Sequence, residues 1–116
     1  MIAAALAAMA VDSVCPGPNL TIEGEYRYVE SRHPNGTELK YGFVVTTEPV
    51  CVAVPDGTTE AVSGRWIQVS WADDQTERPL PGDGVVVTAE CFEPHTAWHL
   101  GDIICINAHL ISREPM

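Results

Sequence analysis

Five segments in which apolar and polar residues alternate constrain the fold of this 116-residue chain more than any other feature. In the first segment, charged residues separate Ile22, Tyr26 and Tyr28, which is the period of two expected of a half-buried strand. No segment shows a sustained helical period. Turn signals separate the segments, and the strongest is Asn35-Gly36, a pair that supplies the positive φ angles of a tight hairpin. The sequence therefore predicts an all-β fold.

The order and spacing of the segments indicate a small barrel. The second strand bends at Pro49, a residue suited to an edge or a bend. Residues 72–83 are polar and carry two prolines, so they are predicted as a loop, with or without one helical turn. The strands are expected at residues 22–28, 39–54, 65–71, 85–92 and 103–111. Five strands with a long excursion between the third and fourth are typical of an OB-like barrel; a small open sandwich with an extra strand is the alternative.

The N-terminal stretch is the main sign of export. Residues 1–11 are uncharged and rich in alanine, but too few to cross a bilayer, which takes about 20 apolar residues. Ala8-Met9-Ala10 matches the small-x-small pattern that signal peptidase cuts, although the usual basic residues before it are missing. We therefore predict a signal-peptide remnant over residues 1–10 and one all-β domain over residues 11–116. An N-terminal helix packed on the domain is the alternative.

Four widely spaced cysteines agree with export: Cys15, Cys51, Cys91 and Cys105. Zinc ribbons and redox motifs need close C-x-x-C spacing, which is absent, whereas a disulfide framework does not. Because Cys91 and Cys105 lie on strands predicted to be neighbours, we expect them to pair if the register brings their Cα atoms within disulfide range. The expected location is periplasmic or secreted.

The charge balance limits the possible partners. Sixteen acidic side chains against six basic ones give a net charge of -10. Without a basic patch the chain is a poor ligand for nucleic acid or for an anionic lipid surface, and no membrane span is predicted. The same charge favours fast association with a basic partner.

Several strings resemble a family of small exported bacterial OB-like β-barrel domains of unknown function. The strings are Pro49-Val50-Cys51-Val52, Ile67-Gln68, residues 84–87 and residues 92–99. The resemblance covers most of residues 15–111, and it implies an exported barrel with a disulfide between Cys15 and Cys51. The chain departs from the family's pattern at residues 31–37 and at the two later cysteines. Since the family has no assigned activity, the resemblance implies no reaction.

The sharpest candidate site is the string His95-Thr96-Ala97-Trp98-His99, between the fourth and fifth predicted strands. An exposed Trp flanked by histidines suits a protein interface, and nearby carboxylates would add negative charge. We therefore predict a recognition surface formed by His95, Trp98, His99, Glu93 and Asp102. On a helix, histidines four residues apart could bind zinc, but Pro94 opposes a helix there and no third ligand is specified.

Signatures of catalysis are absent from the sequence. There is no Gly-x-Ser-x-Gly motif, and the carboxylates of residues 72–83 lack the alternating spacing of a calcium loop. The aromatic residues Tyr26, Tyr28, Trp66 and Trp71 are expected in the core, with a sugar-stacking face as the alternative.

The expected function is therefore that of a non-enzymatic, cofactor-free binding module of the cell envelope. Its expected ligand is a protein, and its concrete form is an inhibitor or immunity protein for a basic enzyme, bound by electrostatic complementarity. The alternative is a metal-dependent enzyme or a metal-binding protein that uses the loop from His95 to His99.

Overall fold

The computed structural model describes residues 15–53, 61–94 and 100–115. These ranges contain no helix and five strands: β1 (Asn19–Arg32), β2 (Glu38–Val52), β3 (Val62–Trp71), β4 (Gly84–Phe92) and β5 (Ile103–Glu114). The predicted number and order of strands are confirmed. The predicted signal-peptide remnant, its helical alternative and the turn signal at Asp56-Gly57 lie outside the described residues.

The strands close into a barrel in the order β1-β2-β3-β5-β4. Neighbouring strands are antiparallel except β3 and β5, which run parallel, and β1 completes the ring by pairing with β4. This is the connectivity of the five-stranded OB barrel, so the predicted fold class is confirmed and the open sandwich is excluded. Closure also removes the free sheet edges that promote aggregation.

β1 can close the barrel because it pairs with two strands in turn. Residues 19–25 pair with β4, and residues 25–32 pair with β2. Gly24 lies just before this change of partner, where a Cβ would overlap the carbonyl oxygen of Val45. The absence of a side chain therefore lets β1 approach β2 closely as it bends.

The barrel interior holds one apolar core. It comprises Leu20, Ile22, Tyr26, Val44, Val52, Ile67, Val69, Val85, Val87, Ala89, Cys91, Ile103, Cys105 and Ala108. Burial of each large aliphatic side chain stabilises the fold by roughly 1.5–3 kcal/mol. Trp71 packs against this core, and its ring centroid lies 6.2 Å from that of Tyr26. These two aromatic residues are therefore structural, as expected, whereas the prediction of a core position is wrong for Tyr28 and Trp66, which are exposed.

Both predicted disulfides are formed. Cys91 and Cys105 face each other across β4 and β5, with a Cα–Cα distance of 4.0 Å. Cys15 and Cys51 are 5.5 Å apart at Cα. The bridge between Cys15 and Cys51 links the N-terminal segment to β2. Beside it, the amide of Ala53 donates a hydrogen bond to the carbonyl of Pro16. Two disulfides are consistent with an oxidising location outside the cytoplasm.

The long connection between β3 and β4 is a loop, as predicted, and it lies along β5. Buried Asp83 accepts hydrogen bonds from the backbone amide of Leu80 (2.8 Å) and from Nε of Arg113 (2.7 Å). The side-chain oxygen of Gln75 accepts a bond from the amide of Leu110 at 3.0 Å. Side chains thus fix this loop against β5.

Candidate functional site

The outer face of β1, β2 and β3 carries aromatic side chains outside the core. Tyr26 and Val44 are opposite each other in register and both fill the core. Side chains alternate along a strand, so the next opposed pair, Arg27 and Phe43, faces outward. Trp66 of β3 lies on the same face, opposite Val45.

Three outward-facing rings form a continuous row, which we call the aromatic strip: Tyr41, Phe43 and Trp66. The ring centroids of Tyr41 and Phe43 are 6.4 Å apart, and those of Phe43 and Trp66 are 5.5 Å apart in an edge-to-face arrangement. Phe43 is buried, whereas Trp66 keeps 39% of its surface exposed. The strip therefore contains a buried ring, Phe43, that packs against an accessible ring, Trp66.

The end of the β4–β5 connection is held beside the strip by Gln68, a buried residue of β3. Its side-chain oxygen accepts hydrogen bonds from the amides of Leu100 (2.6 Å) and Gly101 (3.0 Å). Gln68 is opposite Phe43 in register, so this anchor lies in the middle of the aromatic face. The connection cannot move away without leaving buried polar groups unpaired.

Asp102 adds a second anchor. Its Oδ2 accepts hydrogen bonds from the backbone amides of Arg65 and Trp66, both at 3.1 Å, and its own amide donates to the carbonyl of Trp66 at 2.8 Å. Its side chain lies over Gly64, where a Cβ would overlap it. The carboxylate of Asp102 therefore positions the backbone around Trp66.

The predicted recognition surface is only partly within the described residues. His95, Trp98 and His99 lie outside them. Glu93 follows β4 and is half-buried, and Asp102 is exposed next to Trp66. The combined surface of these five residues stays a prediction.

Sequence reasoning missed Tyr41 and Phe43 as site residues. Their signal was present, because residues 41–45 are apolar at successive positions and therefore on both faces of β2. A strand with one solvated face shows a polar residue at every second position instead. A run of apolar residues without this alternation indicates that the outer face of the strand also carries apolar side chains.

A groove of about 1100 Å³ adjoins the aromatic strip at Val45. One wall is a bulge in β2, where residues 46–49 lie opposite the single residue Arg65. Nε of Arg65 donates a hydrogen bond to the carbonyl of Thr46 at 2.7 Å and so holds the bulge. Pro49 lies within this bulge, which confirms the predicted bend. The outer surface of β1 forms the groove's floor, and the ends of β4 and β5 form the other wall.

The groove has more negative than positive charge available to a partner. Its three arginines are engaged within the protein: Arg27 with Glu25 at 2.6 Å, Arg65 with Thr46, and Arg113 with Asp83. Within the described residues, the carboxylates of Glu23, Glu48 and Glu114 form no ion pair. We call these three residues the groove carboxylates.

The metal-binding alternative relies on the loop from His95 to His99, which lies outside the described residues. Within the described residues, no three His, Cys, Asp or Glu side chains converge as ligands. His109 instead contacts the carboxylate of Asp74 at 3.0 Å, at the loop between β3 and β4. The described ranges also contain no helix long and apolar enough to span a lipid bilayer.

Fold and site together define a disulfide-stapled OB barrel with an aromatic strip on its β2–β3 face. No family model, curated protein or solved structure matches the chain. The resemblance to exported OB-like domains therefore stays a prediction that depends on short strings of residues.

Proposed function

We propose that this protein is an exported, non-enzymatic binding module of the cell envelope and that its ligand is a basic protein. The observation that carries the proposal is the aromatic strip beside the groove carboxylates. In OB folds the β2–β3 face and the adjoining loops are the usual binding surface, and the strip occupies that face. The two disulfides support a periplasmic or secreted location.

The charge on this face favours a protein over a nucleic acid. Aromatic residues on an OB barrel can stack on bases, but such sites also need a basic groove for the phosphates. Here the three arginines of the groove are engaged within the protein, and the net charge of the chain is -10. A basic protein would instead be attracted by the groove carboxylates and would bury Trp66.

The exposure of the residues indicates which of them contribute to the affinity and which to the rate of association. Trp66 is the part of the strip that a partner can cover, and a Trp buried at an interface often contributes above about 2 kcal/mol. The charges act mainly on the rate of encounter. An inhibitor or immunity protein for a basic enzyme is the concrete form of this proposal.

Affinity capture with three immobilised proteins tests the proposal: wild type, Trp66→Ala and Ile111→Ala. Ile111 is the matched control, because it is a large exposed apolar residue near the end of β5, away from the strip. From the extracytoplasmic fraction of the source cells, we expect wild type and Ile111→Ala to retain the same basic protein, which is released by raised salt. Trp66→Ala should lose it.

Equal retention by all three proteins would show that the strip is not the binding surface. A retained protein that is acidic, or a retained glycan in place of a protein, would contradict the proposed ligand class.

A further inference from the structure

The hairpin of β1 and β2 extends beyond the barrel. β1 last pairs with β4 at Glu25, and β2 first pairs with β3 at Gly42. Within the described structure, residues 29–41 form strand pairs only with each other, and we call this segment the arm. At about 3.3 Å per residue, its strands project by roughly 13 Å, and the turn adds to that length.

The tip of the arm is held in one conformation by its own hydrogen bonds. The amide of His33 donates to the carbonyl of Thr37, and the amide of Gly36 donates to the carbonyl of His33, both at 2.8 Å. The amide of Thr37 donates to Oδ1 of Asn35 at 2.9 Å, and Nη1 of Arg32 donates to the carbonyl of Gly36 at 3.1 Å. A preformed tip loses little conformational freedom on binding.

The arm is electrically neutral on a strongly acidic molecule. Glu30 is opposite Lys40, and Arg32 is opposite Glu38, so two acidic residues are matched by two basic ones. The remainder of the chain therefore carries the whole net charge of -10. A neutral arm can enter a site that contains carboxylates, from which an acidic segment would be repelled.

One side of the arm is apolar and continues into the binding face. Val29 is opposite Tyr41, and half-buried Leu39 lies on the same side, two residues before Tyr41. The apolar side of the arm thus runs directly into the aromatic strip. A partner that covers the strip also meets this side of the arm.

We propose that the arm enters the open cleft of a basic enzyme while the aromatic strip packs on the rim of that cleft. This inference depends on the proposed function and adds the shape of the partner to it. The acidic barrel attracts the enzyme, and the neutral, rigid arm then occupies the space where substrate binds. The protein is accordingly a cleft-blocking inhibitor.

Three basic hydrolases with open clefts serve as probes: lysozyme, ribonuclease A and barnase. Cytochrome c, which is basic but has no such cleft, is the control protein. We expect wild type to inhibit at least one hydrolase competitively with its substrate. The main variant replaces residues 30–40 by Asn-Gly, which joins Val29 to Tyr41 through a two-residue hairpin turn. Leu39→Asn is a second variant that keeps the arm's full length and its neutral charge.

Both arm variants should raise the inhibition constant at least tenfold, whereas Ile111→Ala should leave it unchanged. Binding of cytochrome c at low salt should be the same for wild type and both arm variants, because it depends on the barrel's charge. Near-ultraviolet circular dichroism checks that each variant keeps its fold.

The outcomes separate the two proposals. If no hydrolase is inhibited, or if both arm variants inhibit as well as wild type, the arm proposal is wrong while strip-dependent binding can stand. If Trp66→Ala binds every probe and every captured protein as tightly as wild type, the proposed function itself fails.

Discussion

Single side chains fix the geometry of the candidate site through contacts that are distant in sequence. Gln68 bonds to amides 32 and 33 residues away, and Asp102 bonds to amides 36 and 37 residues away. Each makes its bonds with side-chain oxygens to backbone donors, so the β4–β5 connection and β3 form one unit around Trp66. Removal of either acceptor would leave donors unsatisfied and loosen this unit.

Tyr26 links the core to the alkaline stability of the protein. Burial raises the pKa of its hydroxyl, and a hydrogen bond with Trp71 opposes this effect to a smaller extent. A raised pKa means that the folded state favours the protonated form. The resulting stabilisation is complete below the unfolded pKa of about 10 and is lost as the pH rises through the folded value.

The unfolding free energy of wild type should fall between about pH 9 and pH 11, the range around the reference tyrosine pKa of about 10. We expect this fall to be smaller in Tyr26→Phe. Urea unfolding at several pH values measures this decline. Tyr41→Phe is the control, because Tyr41 belongs to the outer aromatic strip and not to the core. Equal slopes for wild type and Tyr26→Phe would show that Tyr26 is not responsible.

At the scale of elements, local sequence signals predicted the strands well but turn geometry less well. The turn signal Asn35-Gly36 is at the hairpin tip, as expected, yet only Gly36 has a positive φ, at 93°. His33 and Thr37 close a three-residue connection in place of a two-residue one. Pro34 accounts for this, since its fixed φ suits the first position of a type I turn followed by a left-handed Gly.

The aromatic strip could not be assembled from sequence for a different reason. The alternating pattern shows which face of a strand a residue lies on. Which residue of the next strand lies beside it depends on the register between the two strands. Phe43 meets Trp66 because the register of β2 with β3 places Val45 opposite Trp66 and Gln68 opposite Phe43. That register ends at the bulge of residues 46–49, and the bond of Arg65 to Thr46 that holds the bulge joins residues 19 positions apart, which no local pattern predicts.

The bend of β1 yields a prediction at this scale. Gly24→Ala should lower the unfolding free energy by about 1–3 kcal/mol, because the added methyl group overlaps the backbone of Val45 where β1 approaches β2. Gly17→Ala is the matched control, since a Cβ at Gly17 has no heavy atom within 4 Å. Urea denaturation of both variants measures the difference, and a Gly24→Ala variant as stable as the control would contradict this account of the bend.

For the molecule as a whole, covalent bridges compensate for a small core. The bridge between Cys15 and Cys51 spans 36 residues and anchors the N-terminal segment across one end of the barrel, where the amide of Cys91 donates to the carbonyl of Pro18. In the chain-entropy picture such a bridge stabilises by roughly 3–4 kcal/mol.

The double variant Cys15→Ser/Cys51→Ser should therefore unfold at a clearly lower temperature and urea concentration than wild type. Calorimetry and urea titration under non-reducing conditions measure the loss, with Ser70→Ala as a control for an exposed polar change. An unchanged melting temperature would mean that the bridge contributes little to the folded molecule.

The charge of the whole molecule and the aromatic strip should affect different rate constants of binding. Replacing the groove carboxylates by Gln (Glu23→Gln, Glu48→Gln and Glu114→Gln together) changes the net charge from -10 to about -7 but leaves the strip intact. We expect this triple variant to associate more slowly with the hydrolase inhibited by wild type, and with a weaker salt dependence. Its dissociation rate should hardly change.

Trp66→Ala should show the reverse pattern, because truncation removes contacts made only after docking and acts mainly on dissociation. Stopped-flow or surface-plasmon measurements at several salt concentrations resolve the two constants. If the triple variant associates as fast as wild type, the groove carboxylates do not steer the partner. If it dissociates faster while associating normally, they make direct contacts in the complex, and the boundary of the interface then extends from the strip into the groove.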